Sequence, residues 1–213
     1  MDLASPISSV VPTAHGAALF VLARADQPLS GRQIAALTNG RFGQWRINEV
    51  LGELADSGIV LREHRPPAKL YRLNRDHVAA PGIEALAAQR DLLIERMRFA
   101  AGEWAVPADA LWLFGSAARG DGGPGSDVDL LVIRASSVGA DDQHWLAQLD
   151  QIADQVSRWC GNHCEVLELS RAELEKALAR GDRLTEELRA DAVGIAGATP
   201  RSLLRRPRPV AAS

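Results

Sequence analysis

The spacing of apolar positions switches repeatedly between a helical and an alternating period, and each switch marks an element boundary. Residues 15–26, HGAALFVLARAD, have apolar side chains at helical spacing and stop before QPLS. Ser30 then stands as an N-cap for GRQIAALTN, with Ile34 and Leu37 three apart on one face. After Gly40 and Gly43, QWRINEVLGELADSG sets Ile47, Val50, Leu51 and Leu54 on an i, i+3, i+4, i+7 stripe that Gly58 ends. IVLREHRPPAKLYRLN alternates on both sides of Pro66-Pro67, which predicts a two-stranded hairpin. Helical spacing returns over residues 81–106, where Ile83, Leu86, Leu93, Ile94 and Met97 predict one linking helix.

In the second half, ALWLF (110–114) is a short apolar run suited to a buried strand, Gly115-Ser116 turns the chain, and SAARG can begin a helix. Exposed N–H groups at such a helix start attract phosphate. Beyond the loop from Asp121 to Ser126, DVDLLVI enters a second strand. Alternation there puts Asp127 and Asp129 on one face and Val128 and Leu130 on the other. Two carboxylates held this close repel unless a cation joins them, and oxygen-only ligands favour Mg²⁺. Residues 141–161 form an amphipathic helix through Trp145, Leu149, Ile152, Val156 and Trp159. HCEVLELS (163–170) reads as a later strand whose two acids, Glu165 and Glu168, have opposite parity and face opposite sides. From Ser170, which stands in capping-box spacing with Glu173, a helical segment runs on, and its acids read as a solvated face. Its second half, with Leu184, Leu188 and VGIAG, closes the domain.

A chain of 213 residues, 46% hydrophobic and 24% charged, can bury two small cores. The pattern divides it into an N-terminal domain (1–80), the linking helix (81–106), a second domain (107–197) and an Arg/Pro-rich tail (198–213) expected to be disordered. The absence of a spanning apolar run and of a basic secretory start predicts a cytoplasmic protein with no membrane partner. Cys160, His163 and Cys164 lack further ligands at zinc spacing and read as packing or turn residues. Charge is uneven: residues 1–80 hold nine Lys/Arg against seven Asp/Glu (+2), and the rest hold fifteen against twenty (−5). Any nucleic-acid contact should therefore concentrate at the N-terminal end.

Three helices followed by a hairpin over about residues 14–78 resemble the winged helix-turn-helix domain of bacterial transcription regulators. The resemblance implies a recognition helix from Gln44 to Ser57 and double-stranded DNA as partner. Arg41, Gln44, Trp45, Arg46 and Asn48 are then the candidates for base or phosphate contact, with Arg62, His64, Arg65 and Lys69 on or beside the wing. Apart from Glu63, no acid lies between Ile59 and Arg75, which agrees with that role. A solvated polar face, or a domain for dimerisation, is the plainer alternative. The linking helix could carry a homodimer contact, though no feature requires one.

The stretch GSAARGDGGPGSDVDLLVI resembles the G-S, D-x-D signature of the nucleotidyltransferase superfamily that includes DNA polymerase β, and most of all its minimal bacterial and archaeal domains. The likeness covers about residues 90–197 and implies an α/β (α+β) domain in which helices flank a short mixed sheet. It also implies two Mg²⁺ ions and a nucleoside triphosphate as substrate. Asp127 and Asp129 would be catalytic metal ligands, Gly115 and Ser116 the triphosphate cradle, and Arg119 a phosphate neutraliser. A third carboxylate in the family acts as general base or metal ligand. Glu165, nearer the strand's start, is preferred to Glu168. Two functions follow: transfer of a nucleoside monophosphate to an unidentified hydroxyl, or a DNA-binding regulator whose second domain only binds nucleotide.

Overall fold

The structure is a computed structural model that describes residues 1–205, and the chain divides into two compact units, residues 2–91 and residues from Leu92 onward with Met1. In the first unit a 3-10 turn at Pro6–Ser9 precedes α1 (Ala14–Ala23), α2 (Gly31–Leu37) and α3 (Gln44–Asp56). Strands β1 (Leu29–Ser30), β2 (Val60–Arg65) and β3 (Ala68–Leu73) form an antiparallel sheet in the order β1-β3-β2. Ser30 begins α2 as expected, in a capping box with Gln33. The stripe on α3 buries Ile47, Val50, Leu51 and Leu54 against α1, α2 and the sheet. Each such side chain contributes about 1.5–3 kcal/mol by leaving water.

Two features differ from the sequence expectation. QPLS supplies β1, a two-residue strand that pairs with β3, too short to show a period. The segment 81–106 is two helices, α4 (Ala80–Ala87) and α5 (Gln89–Gly102), interrupted at Ala88. Ile83 of α4 packs into the first unit's core, while α5 carries Leu93, Ile94 and Met97 of the second unit. Apolar periodicity reports that a helix buries a face but not which core it joins, so the break was invisible.

The second unit is built on a mixed sheet in the order β6-β5-β4-β7: β4 (Ala110–Phe114), β5 (Val128–Arg134), β6 (Cys164–Ser170) and β7 (Val193–Gly197). β4 runs antiparallel to β5 and β7, whereas β5 and β6 are parallel. A parallel pair needs a long crossover, here α7 (Gln143–Cys160), which Asp142 caps through the backbone N–H groups of His144 and Trp145. Between β4 and β5 lies the short α6 (Gly115–Arg119), and α8 (Arg171–Arg180) and α9 (Arg183–Asp191) follow β6.

Side-chain parity sorts the sheet faces. Ala110, Trp112, Leu131 and Ile133 form one buried cluster with Leu174 of α8 and Leu188 of α9. Asp129, two residues before Leu131, shares that face. VGIAG, expected only to close the domain, forms β7 at the sheet edge; a five-residue apolar run has no period to distinguish strand from helix end. The expected tail from residue 198 begins in order, since Pro200–Leu203 is a helical turn, α10, and Leu204 is buried. Its remainder, residues 206–213, lies outside the described residues. Cys160 and Cys164 are free and buried, and burial foremost, with Cys160 and Asp129 nearby, pushes the Cys164 thiol up to about 12. Among the described residues no helix is long and apolar enough to cross a membrane.

Candidate active site

Three strands bring the predicted carboxylates to one end of the second unit's sheet. Phe114 pairs with Asp129 across β4 and β5, and Asp129 pairs in register with Glu165 across β5 and β6. Registered neighbours point to the same face, so Asp129 and Glu165 lie side by side on the sheet face that packs α8 and α9, with Glu165 exposed. Asp127 sits just before β5, exposed, with the same parity. Glu168 pairs instead with Val132, on the opposite face, and there accepts from Arg134 Nε at 2.5 Å. Register thus separates the two glutamates by environment: Glu165 is free to face Asp129, while Glu168 is held in an ion pair.

The field around Asp129 is negative. Burial foremost, then Asp127, Glu165 and Glu187, raise its carboxyl above the ordinary range, and Arg119 opposes them. Each neighbour is a like charge that favours the protonated form. Glu187, on α9, belongs to a helix whose acids the sequence suggested were a solvated face. Glu187 itself pairs with Arg183 at 2.8 Å and stays part-exposed, whereas its i+4 neighbour Asp191 is turned inward, 15% exposed, accepting from Arg119 Nη1 at 2.7 Å. The i, i+4 spacing placed these two acids on one face, but nothing in the sequence told which way that face pointed. Arg119 also donates through Nε to Asp121 at 3.0 Å, and its charge is strengthened by both acids.

Gly115 opens α6 with φ +69°, and a Cβ there would stand 2.4 Å from Asp129 Oδ2. The turn therefore needs glycine for its backbone and for the close approach of the carboxylate. The loop from Asp121 folds back on the serine, since a Cβ on Gly122 would lie 3.1 Å from Ser116 Oγ. Ser126 holds that loop by accepting from Gly123 N–H at 2.9 Å, and Asn162 donates to its carbonyl at 2.8 Å. Gly115, Ser116, Arg119, Asp127, Asp129 and Glu165 are thus gathered where β4 and β5 meet α6. Among the described residues, no three His, Cys, Asp or Glu side chains stand close enough to hold a metal ion together.

In the first unit the residues expected at a nucleic-acid contact, Arg41, Gln44, Trp45, Arg46, Asn48, Arg65 and Lys69, are all exposed, Trp45 at 76%. They are not equivalent. Arg41 pairs with the buried Asp2 at 3.0 Å, Arg46 with Glu49, and Arg65 with Glu63 at 3.1 Å. Asn48 rests against Gly31, where α2 and α3 approach closely. Lys69 lines an open cleft of about 620 Å³ with Ser30, Arg32, Gln44, Asn48 and Arg62, and no acid lines it. Arg32, Arg62 and Lys69 have no ion-pair partner among the described residues. Arg32, at the second position of α2, joins this cleft although the sequence pattern marked its segment only as a helix start.

Among solved structures, the chain is similar to a toxin-antitoxin crystal structure with AMP-PNP, at 13% identity and a TM-score of 0.37, over 52% of this chain and 80% of that one. It is also similar to human N-acetylserotonin methyltransferase in complex with SAM, at 18% identity and a TM-score of 0.28, over 47% of this chain and 32% of that one. No curated protein matches it. The family described as nucleotidyltransferase domain matches residues 94–208, more than half of the chain and all of the acid-bearing sheet. The chain belongs to that nucleotidyltransferase family.

Proposed function

We propose that the protein is a Mg²⁺-dependent nucleotidyltransferase that moves a nucleoside monophosphate from a nucleoside triphosphate to a hydroxyl acceptor. The observation that carries this reading is the registered pair Asp129 and Glu165, with Asp127 beside them, in a field short of positive charge. Oxygen-only donors suit a hard divalent cation, and Asp127 and Asp129 would hold it with oxygens of the triphosphate. When bound, Mg²⁺ would polarise the α-phosphate and offset the charge of the leaving pyrophosphate. The chain's own residues do the rest. Gly115 and Ser116 cradle the triphosphate through backbone N–H groups and the hydroxyl, and Arg119 neutralises phosphate charge. Glu165 takes the proton of the attacking hydroxyl as its oxygen bonds to the α-phosphorus and the bond to pyrophosphate breaks.

The first unit, in this reading, is a winged helix that binds double-stranded DNA, with α3 in the major groove and the β2-β3 hairpin as the wing. The cleft with Arg32, Arg62 and Lys69 supports it, since unpaired cations suit a phosphate backbone. A rival reading, a DNA-binding regulator that only senses nucleotide, is favoured by the lack of three described acids near enough to share a metal.

Incubation with each α-labelled nucleoside triphosphate and Mg²⁺, with and without cell extract, separates the two. Label transferred by the wild type and not by an Asp127→Asn, Asp129→Asn double variant supports the enzyme. Nucleotide binding with no label transferred under any condition would sink it in favour of the sensor.

A further inference from the structure

Arg119 is held from two directions by acids that the family signature does not include. Nε donates to Asp121 at 3.0 Å in the adjoining loop, and Nη1 donates to Asp191 at 2.7 Å, 72 residues along the chain at the end of α9. A guanidinium has five N–H donors in a rigid plane. Two are engaged, and the Nη2 edge has no protein partner among the described residues. The paired acids therefore fix the plane of the group without exhausting its donors. Arg119 lies one helical turn after Gly115, whose backbone approaches the Asp129 carboxylate, and its charge is felt at Asp129. Its open edge thus stands within the neighbourhood where the triphosphate is proposed to bind.

We propose that Asp191 is a positioning residue for nucleoside triphosphate: from α9 it locks the Arg119 guanidinium so that the Nη2 edge meets phosphate already ordered. The inference rests on the nucleotidyltransferase reading of this site. Its physical content is preorganisation. A free arginine must lose rotamer freedom when it grips a phosphate, and a guanidinium held by Asp121 and Asp191 has lost it on folding. The opposing possibility is competition, in which Asp191 draws the arginine's charge away from the ligand. The two predict opposite signs for one substitution.

The test is equilibrium binding of the α,β-methylene analogues of the four nucleoside triphosphates with Mg²⁺ to the full chain, beside steady-state transfer kinetics. Asp191→Ala is expected to weaken binding about three- to tenfold, the ordering cost of one long side chain. KM should rise with kcat held within about twofold, the mark of lost uniform binding. Asp191→Glu, which keeps the charge, should recover part of the affinity, and Asp191→Ala should add nothing in an Arg119→Ala background. Thermal unfolding accompanies each variant, and Asp191→Asn replaces Asp191→Ala if the latter does not fold. Unchanged affinity in a folded Asp191 variant overturns the proposal, as does tighter binding, which would establish competition. A wild type that binds none of the analogues overturns both this inference and the proposed function, so the two failures are distinguishable.

Discussion

The two units carry opposite electrostatic imbalances. At the end of the second unit's sheet, Asp127, Glu165 and Glu187 crowd Asp129 with like charge, and the nearby Arg119 is already shared between Asp121 and Asp191. In the first unit's cleft, Arg32, Arg62 and Lys69 stand around open space without an acid in the lining. Elsewhere some charges are answered by neighbours, as Arg134 is by Glu168 and Arg41 by Asp2. The function proposed above gives each place a partner of opposite sign, a cation in one and an anion in the other.

The largest effect that would break this comparison comes from the acidic side. The Asp127→Asn, Asp129→Asn double variant should lower transfer by on the order of 10³-fold, measured with α-labelled nucleotide. Retention of more than a tenth of the activity would mean that the acids do not carry the chemistry. Next, Glu165→Gln should lower kcat by about 10²-fold or more, whereas Glu168→Gln should leave transfer intact and cost at most about 1 kcal/mol through its Arg134 pair. Equal losses in the two would erase the distinction drawn from strand register.

On the basic side, an Arg62→Ala, Lys69→Ala double variant should weaken binding to duplex DNA about tenfold and reduce the salt slope by about 2. Arg46→Ala should do less, since Glu49 already engages that arginine. A salt titration by fluorescence anisotropy measures both, and an unchanged slope in the double variant would remove the cleft from the DNA surface.

The smallest effect concerns stability. Because Asp129 ionises at higher pH than in the unfolded chain, the folded protein keeps a proton that the unfolded chain has released, and stability falls as pH rises through that window. Asp129→Asn should therefore raise Tm at neutral pH by about 1–3 °C, in the presence of EDTA. The gain should vanish below about pH 3, where an unfolded aspartate is also protonated.

Much of this was legible in the residues and some was not, for reasons that differ by element. The stripe on α3, the Ser30 cap and the strands at 110–114 and 128–134 followed from periodicity, because each buries one face against one core. The acids flanking Val128 were readable because a period of two admits only one arrangement. Parity alone set Glu165 apart from Glu168 but could not choose between them; the β5-β6 register did, and register depends on the whole crossover. Asp191 was misread for a related reason. Its face of α9 is polar either way, and only the packing of α9 against α6, with the Arg119 pair, shows which way it points. The division of residues 81–106 between two cores likewise left no mark on the apolar spacing.

The parallel pairing of β5 with β6 also bears on how the site comes into being. Asp129 meets Phe114 through a short antiparallel connection, but it meets Glu165 only after α7 has been laid down and the chain has crossed the sheet. Closing that loop costs entropy, so the acidic neighbourhood depends on a long-range contact that local structure alone does not supply. A chain that ends before residue 165 lacks the glutamate that pairs with Asp129 across β5 and β6.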